Sequence, residues 1–227
     1  MASAEQLEQL EQVAAEVRVC TKCALHVGTK NGVPGEGNPQ AEVMLIGEGP
    51  GFNEDRLGRP FVGQAGGFLN ELLEAAGLKR EDVFITNVVK HRPPENRDPL
   101  PEEIRACSDY LTRQIAAINP KVIITLGRYS MARFVQGASI SKIHGQDKVV
   151  ERRVVVTMYH PAAALHQQTL RSVALNDFRT AVPAALQMAR ELAAQGKVGN
   201  ALAGNDGENS QQGQQDEPPP PQQLSLF

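Results

Sequence analysis

Gly47-Glu48-Gly49-Pro50-Gly51-Phe52-Asn53-Glu54-Asp55, followed by Gly58-Arg59-Pro60-Phe61-Val62-Gly63, is the stretch around which the chain is organised. Ahead of it, Val43-Met44-Leu45-Ile46 is a short apolar run of the kind that forms a buried strand; behind it, residues 65–75 carry helical periodicity. A loop dense in glycine and proline between strand and helix is where an α/β fold collects its chemistry, at the carboxyl end of the sheet. Its glycines let backbone amides approach a ligand closely, and Glu48, Glu54 and Asp55 add carboxylates. On these residues alone, a plain nucleotide or phosphate site is one reading.

The alternation continues in both directions. Residues 4–18 read as an amphipathic helix that runs into Cys20-Thr21-Lys22-Cys23. A second buried strand is expected over 82–89 and feeds the loop 90–99. A helix over 101–118 carries Cys107, and a third strand covers 122–127. Residues 149–158 read as a hairpin arm plus the last core strand and end in Tyr159-His160-Pro161-Ala162-Ala163; a helix over about 173–194 closes the domain. This order predicts a single α/β domain over 1–195, a three-layer α/β/α sandwich on a mainly parallel central sheet. From Gly196 the composition turns to Gly, Asn, Gln and Pro, so 196–222 is expected to be a disordered linker before the terminal residues 223–227.

With 41% hydrophobic residues in 227, the chain can build a proper core. The formal charge of −3 is carried by 197–227, which leaves 22 basic and 22 acidic residues in the rest. Any nucleic-acid contact must therefore come from a local patch rather than a basic body. The acidic start carries no signal-peptide pattern, and no apolar run is long enough to span a membrane. Three cysteines, two of them spaced C-x-x-C, point to a reducing compartment and a metal or redox role. A cytoplasmic protein is expected.

Taken together, GEGPG…ED…GRPFVG, the strand-end TNVVK-x-RPP-x-NR and the late strand-end HPAA resemble the uracil-DNA glycosylase superfamily, most nearly its family 4, the iron–sulfur type. The resemblance runs from about Cys20 to Asp177 and keeps the motifs in order. It implies an enzyme that flips uracil out of DNA and hydrolyses its N-glycosidic bond, leaving an abasic site for base excision repair. It implies that uracil stacks on Phe61 in a pocket built with Glu48, Gly49 and Pro50. Asn87 would read the Watson–Crick edge, since its amide offers one donor group and one acceptor. His160 would stand at uracil O2 and stabilise the departing anion.

Two departures from the family stand out. Where the family 1 enzymes have a water-aligning Asp, this chain has Gly49, which leaves Glu48 and Glu54 as candidates for positioning water, with Asp55 behind them. Where family 4 usually has a cysteine after NVVK, this chain has His91. The ligand set becomes Cys20, Cys23, His91 and Cys107. By spacing alone it suits tetrahedral zinc; the resemblance implies a four-iron four-sulfur cluster. A relative of family 4 that traps uracil-DNA covalently has a similar NAVKH stretch but a longer loop with a reactive histidine. The loop RPPENRDPLP here has neither, so trapping or binding without turnover is the alternative function rather than the first.

Leu165 is the expected wedge into the duplex, and Arg59, Lys90, Arg92, Arg97 and Arg171 are candidate phosphate contacts. The terminal Gln223-Leu224-Ser225-Leu226-Phe227 resembles the peptide with which bacterial replication and repair proteins dock on the DNA polymerase sliding clamp. Gln223, Leu224, Leu226 and Phe227 would fill the clamp groove. A monomer is expected, with uracil-containing DNA and the clamp as partners.

Overall fold

The computed structural model describes residues 3–165 and 167–197. Six strands form one sheet: β1 Glu36–Gly37, β2 Val43–Gly47, β3 Phe84–Asn87, β4 Val122–Leu126, β5 Asp147–Val150 and β6 Arg153–Met158. Their order is β1-β3-β2-β4-β6-β5. The four inner strands are parallel, and both edges are closed by antiparallel partners. The expected three-layer, mainly parallel architecture is the observed one. Among the described residues no helix is long and apolar enough to cross a membrane.

The layers follow from strand alternation. Val43 and Leu45 of β2 face a core shared with α3 (Gln64–Ala75) and α8 (Gln168–Ala194), where Phe68, Leu69, Leu72 and Phe178 are buried. Met44 and Ile46 face the opposite core, with Cys107, Leu111, Ile115 and Ile118 of α4 (Pro101–Ile118). Strands apolar on both faces are stable only between two such layers. Outside α4 lies α1 (Ala4–Arg18), joined to it through Val13, Val17, Cys20 and Tyr110 and by the Arg113–Glu16 ion pair at 2.7 Å.

Two local expectations change. The second strand is four residues long rather than eight, because a 3₁₀ turn over Arg80–Asp82 precedes it. The glycine-rich loop is not all loop: Phe52–Leu57 forms a short helix, α2. Gly51 enters it in extended conformation and Gly58 ends it at φ +68°, a left-handed cap that costs glycine little. Three further short helices complete the set among the described residues: α5 (Arg128–Ala132) after β4, α6 (Ile140–Ile143) before β5 and α7 (Pro161–Ala164) after β6. The expected linker lies outside the described residues except for 196–197, and the terminal peptide 223–227 lies wholly outside them.

Candidate active site

From β2 the chain turns toward the α3 layer, and from β3 toward the α4 layer. A crevice opens between the two strand ends, as expected where connections diverge to opposite faces of a parallel sheet. It is a cleft of about 390 Å³ whose lining includes Glu48, Phe61, Asn87, Pro93, Arg97 and His160. Gly49, Pro50 and Glu54 complete the β2 side. All the residues expected at the substrate are therefore brought together.

Phe61 is held in an unusual backbone state. Its φ is +50°, a left-handed value that costs a bulky residue on the order of 1–3 kcal/mol. The surroundings enforce it. Glu54 Oε1 accepts hydrogen bonds from the Val62 and Gly63 amides at 2.8 and 2.9 Å, and Arg80 Nη2 donates to the Pro60 carbonyl at 2.7 Å. Gly66 on α3 presses on the Phe61 carbonyl so closely that a Cβ there would lie 1.9 Å from its oxygen. The Phe61 ring meets the His160 imidazole at a centroid distance of 5.6 Å and an interplanar angle of 30°.

Asn87 ends β3 with its side chain buried and its Oδ1 without a hydrogen-bond partner among the described residues. A buried acceptor left unpaired costs about 1–3 kcal/mol, so a ligand N–H that completes it gains that much. Gly47 makes room for the arrangement: a Cβ there would stand 2.4 Å from Asn87 Oδ1 and 2.6 Å from Phe61 Cζ. Beneath Asn87 lies Lys90, fully buried and without a carboxylate partner among the described residues. Its Nζ donates to Thr86 Oγ1 at 2.7 Å, to the Asn87 carbonyl at 2.9 Å and to Gln114 Oε1 at 2.8 Å. Those three acceptors use all three ammonium donors. The sequence offered Lys90 as a phosphate contact; it is instead an internal brace, and burial pulls its pKa down to about 7.

His160 caps the start of α7. Its Nδ1 accepts from the Ala162 amide at 3.2 Å, which puts the ring proton on Nε2. Burial pushes its pKa down to about 4, against an opposing pull from Glu54, so the ring is a neutral donor at physiological pH. Burial raises the Glu48 pKa, Asp98 adds to the rise and Arg128 opposes it. The two candidate carboxylates thus separate: Glu54 is engaged in capping the Phe61 turn, while Glu48 stands in the cleft as a carboxylate biased toward proton uptake. Asp55 is also engaged, accepting from the Lys30 and Asn31 amides at 2.8 and 3.0 Å.

The expected metal residues gather where α1 ends against α4. Cys20 and Cys107 are buried, Cys23 is partly exposed, and all three are free thiols. Burial raises the Cys23 and Cys107 pKa values, that of Cys107 to about 11. His91 shares a small surface cavity with Cys20, and its Nδ1 is buried without a partner. Among the described residues no group of three His, Cys, Asp or Glu stands ready to hold a metal ion. The set fits a soft metal by its donor chemistry, three sulfurs and one orphaned imidazole nitrogen, rather than by convergence.

Of the remaining expectations, Leu165 is partly buried against the core beyond α7, while Ala162 and Ala163 line the cleft. Arg59 pairs with Glu36, Arg171 with Glu71, and Arg97 with Glu103 at 2.7 Å. Pro93 and Asn96 of the RPP-x-NR motif, given no role from sequence, stand on the cleft wall, and the Asp98–Arg128 pair that acts on Glu48 was not singled out at all. The Pro-Pro-Glu-Asn-Arg loop was visible as a turn, but nothing in its composition gave the direction in which it folds.

The sequence has counterparts among known proteins. Residues 34–183 match the family model described as the uracil DNA glycosylase superfamily. The type-4 uracil-DNA glycosylase of Archaeoglobus fulgidus is 48% identical over 183 residues, covering 76% of this chain and 92% of that protein. That of Saccharolobus solfataricus is 51% identical, covering 76% and 85%. The type-5 uracil-DNA glycosylase of Thermus thermophilus is more distant, 37% identical over 44% of this chain and 52% of its own length.

Proposed function

The chain belongs to the uracil-DNA glycosylase superfamily, within its type-4 family, and on that premise we propose how its cleft excises uracil from DNA. The enzyme is a glycosylase that hydrolyses the bond between uracil N1 and deoxyribose C1′ and leaves an abasic site. The observation that carries the site reading is Asn87, whose buried Oδ1 lacks a partner beside the Phe61 ring. Uracil N3–H supplies the missing donor, while the amide Nδ2 donates to O4; cytosine presents the opposite pattern at both atoms.

With the flipped base on Phe61, Nε2–H of neutral His160 donates to uracil O2. As the C1′–N1 bond breaks, its electron pair passes into the ring, and this hydrogen bond strengthens with the growing charge on O2. Water then adds to the oxocarbenium-like C1′ and gives up a proton. Glu48, with its raised pKa, orients that water and takes the proton, while Glu54 acts at one remove by holding the Phe61 turn. Gly49 and Pro50 shape the wall between them.

Cys20, Cys23, His91 and Cys107 would hold a four-iron four-sulfur cluster, with zinc as the alternative; the orphaned His91 nitrogen and the three free thiols support this. When bound, such a group would supply a structural pin between the end of α1 and the loop after β3. Leu165 is the proposed wedge. Residues 196–222 would tether the clamp-binding peptide formed by Gln223, Leu224, Leu226 and Phe227, with a reach on the order of 25–30 Å as a flexible coil. Three free cysteines and a DNA substrate support a cytoplasmic location. The test is a uracil-containing oligonucleotide: multiple-turnover formation of abasic product is expected, and a stable protein–DNA adduct would overturn hydrolysis in favour of trapping.

A further inference from the structure

Phe52 opens α2, and it is the one exposed phenylalanine among the described residues, with 61% of its surface in water. Nothing in the core requires it there: the cores on both faces of the sheet are built without it. Its location is specific. Gly51, immediately before it, lines the cleft, and so do Pro93 and Asn96 on the facing loop. From that loop the Arg92 guanidinium carbon stands 5.3 Å from the Phe52 ring centroid, held by an Nε hydrogen bond to Asn96 Oδ1 at 2.7 Å. An aromatic face and a positioned guanidinium therefore form one lip of the cleft.

We propose that Phe52 and Arg92 form a stacking subsite for the nucleobase next to the flipped uridine. The inference rests on the glycosylase reading, because a nucleotide drawn into the cleft brings its covalent neighbours across the lip. An unpaired neighbouring base has a π-face that any aromatic can receive, and an arginine beside it meets the phosphate. Such a platform tolerates any base, so it contributes grip rather than sequence preference. Arg92, unlike Arg59, Arg97 and Arg171, is not tied to a carboxylate by an ion pair among the described residues, which leaves its Nη donors for phosphate.

The experiment measures binding of the full-length protein to short single-stranded oligonucleotides by fluorescence anisotropy. A 2′-fluorinated deoxyuridine slows cleavage, and the bases on either side are present or replaced by tetrahydrofuran abasic residues. With flanking bases, Phe52→Ala is expected to weaken binding about tenfold. Phe52→Trp should restore it, and Phe52→Leu should not. With abasic flanks, wild type and Phe52→Ala should bind alike. Equal binding of Phe52→Ala and wild type to the base-flanked strand would overturn the proposal. So would a tenfold loss that persists on the abasic-flanked strand, because the ring would then act on the backbone or the fold. Excision of an unmodified uracil by wild type is scored separately; its absence would refute the glycosylase reading and not the binding comparison.

Discussion

Replacing Gly47 by Ala tests the site by space alone. Gly47 sits at the end of β2 with no left-handed φ, so alanine meets no backbone penalty there. The new Cβ would lie 2.4 Å from Asn87 Oδ1 and 2.6 and 2.7 Å from two Phe61 ring carbons, whereas ordinary contact begins at 3.4 Å. Both side chains must withdraw by about 0.7–1 Å to reach normal van der Waals separation. Neither has an easy retreat. Phe61 is pinned through Glu54, Arg80 and Gly66, and Asn87 stands on a sheet strand braced by Lys90. A displacement of about 1 Å in a positioning group costs on the order of 10²-fold in rate, or about 2.7 kcal/mol of transition-state stabilisation. Overpacking should cost about 1–3 kcal/mol of stability, a fall of several degrees in Tm for a domain of this size. Gly67→Ala is the control: nothing lies within 4 Å of its Cβ, and in the interior of α3 the change should stabilise by roughly 0.5–1 kcal/mol without touching activity. The assay is single-turnover excision from a uracil oligonucleotide alongside thermal unfolding. A Gly47→Ala enzyme that folds and excises within about threefold of wild type would refute the close packing on which the uracil-reading geometry rests.

Asn87→Asp should lower uracil excision on the order of 10²–10³-fold, since a carboxylate cannot donate to O4; single-turnover rates read it directly. His160 keeps its neutral form down to about pH 4, whereas in the unfolded chain it protonates near 6.5. The unfolded state therefore takes up a proton first as pH falls, and stability drops between those values. Compared with His160→Gln, the wild-type Tm should fall more steeply from pH 6.5 to 4; parallel curves would rule out the half-buried neutral imidazole. The purified protein should be brown, and Cys107→Ala should lose colour and thermal stability while His91→Cys retains both. Stoichiometric zinc in a colourless protein would replace the cluster assignment. Deleting 223–227 should leave excision from a short oligonucleotide unchanged and abolish pull-down by the sliding clamp; equal capture of both forms would end that assignment.

Much of the site was legible because its residues sit at fixed positions on strand ends. Val43 to Ile46 is apolar on both faces, which only a strand between two helical layers can satisfy, and the same holds for 122–126. Once those strands are parallel, Glu48, Asn87 and His160 must emerge at one edge of the sheet, whatever the details of packing. The short helix α2 was hidden because its glycines look like loop until Gly51 and Gly58 are seen to begin and end it. What tertiary structure alone decided is how each polar group is spent. Glu48 and Glu54 are equivalent as letters and both line the cleft, yet Glu54 spends its carboxylate on capping a turn eight residues away. Lys90 reads as a surface cation until Gln114, far along the chain, closes its third hydrogen bond inside the protein. Phe52 and Phe61 differ by nine positions, and one is left in water while the other is locked at positive φ under the cleft. Local sequence specifies which backbone states are cheap and which faces must be buried. The partner of a charge or an amide is fixed only when the sheet order brings distant segments together, and in this protein those partners set the chemistry.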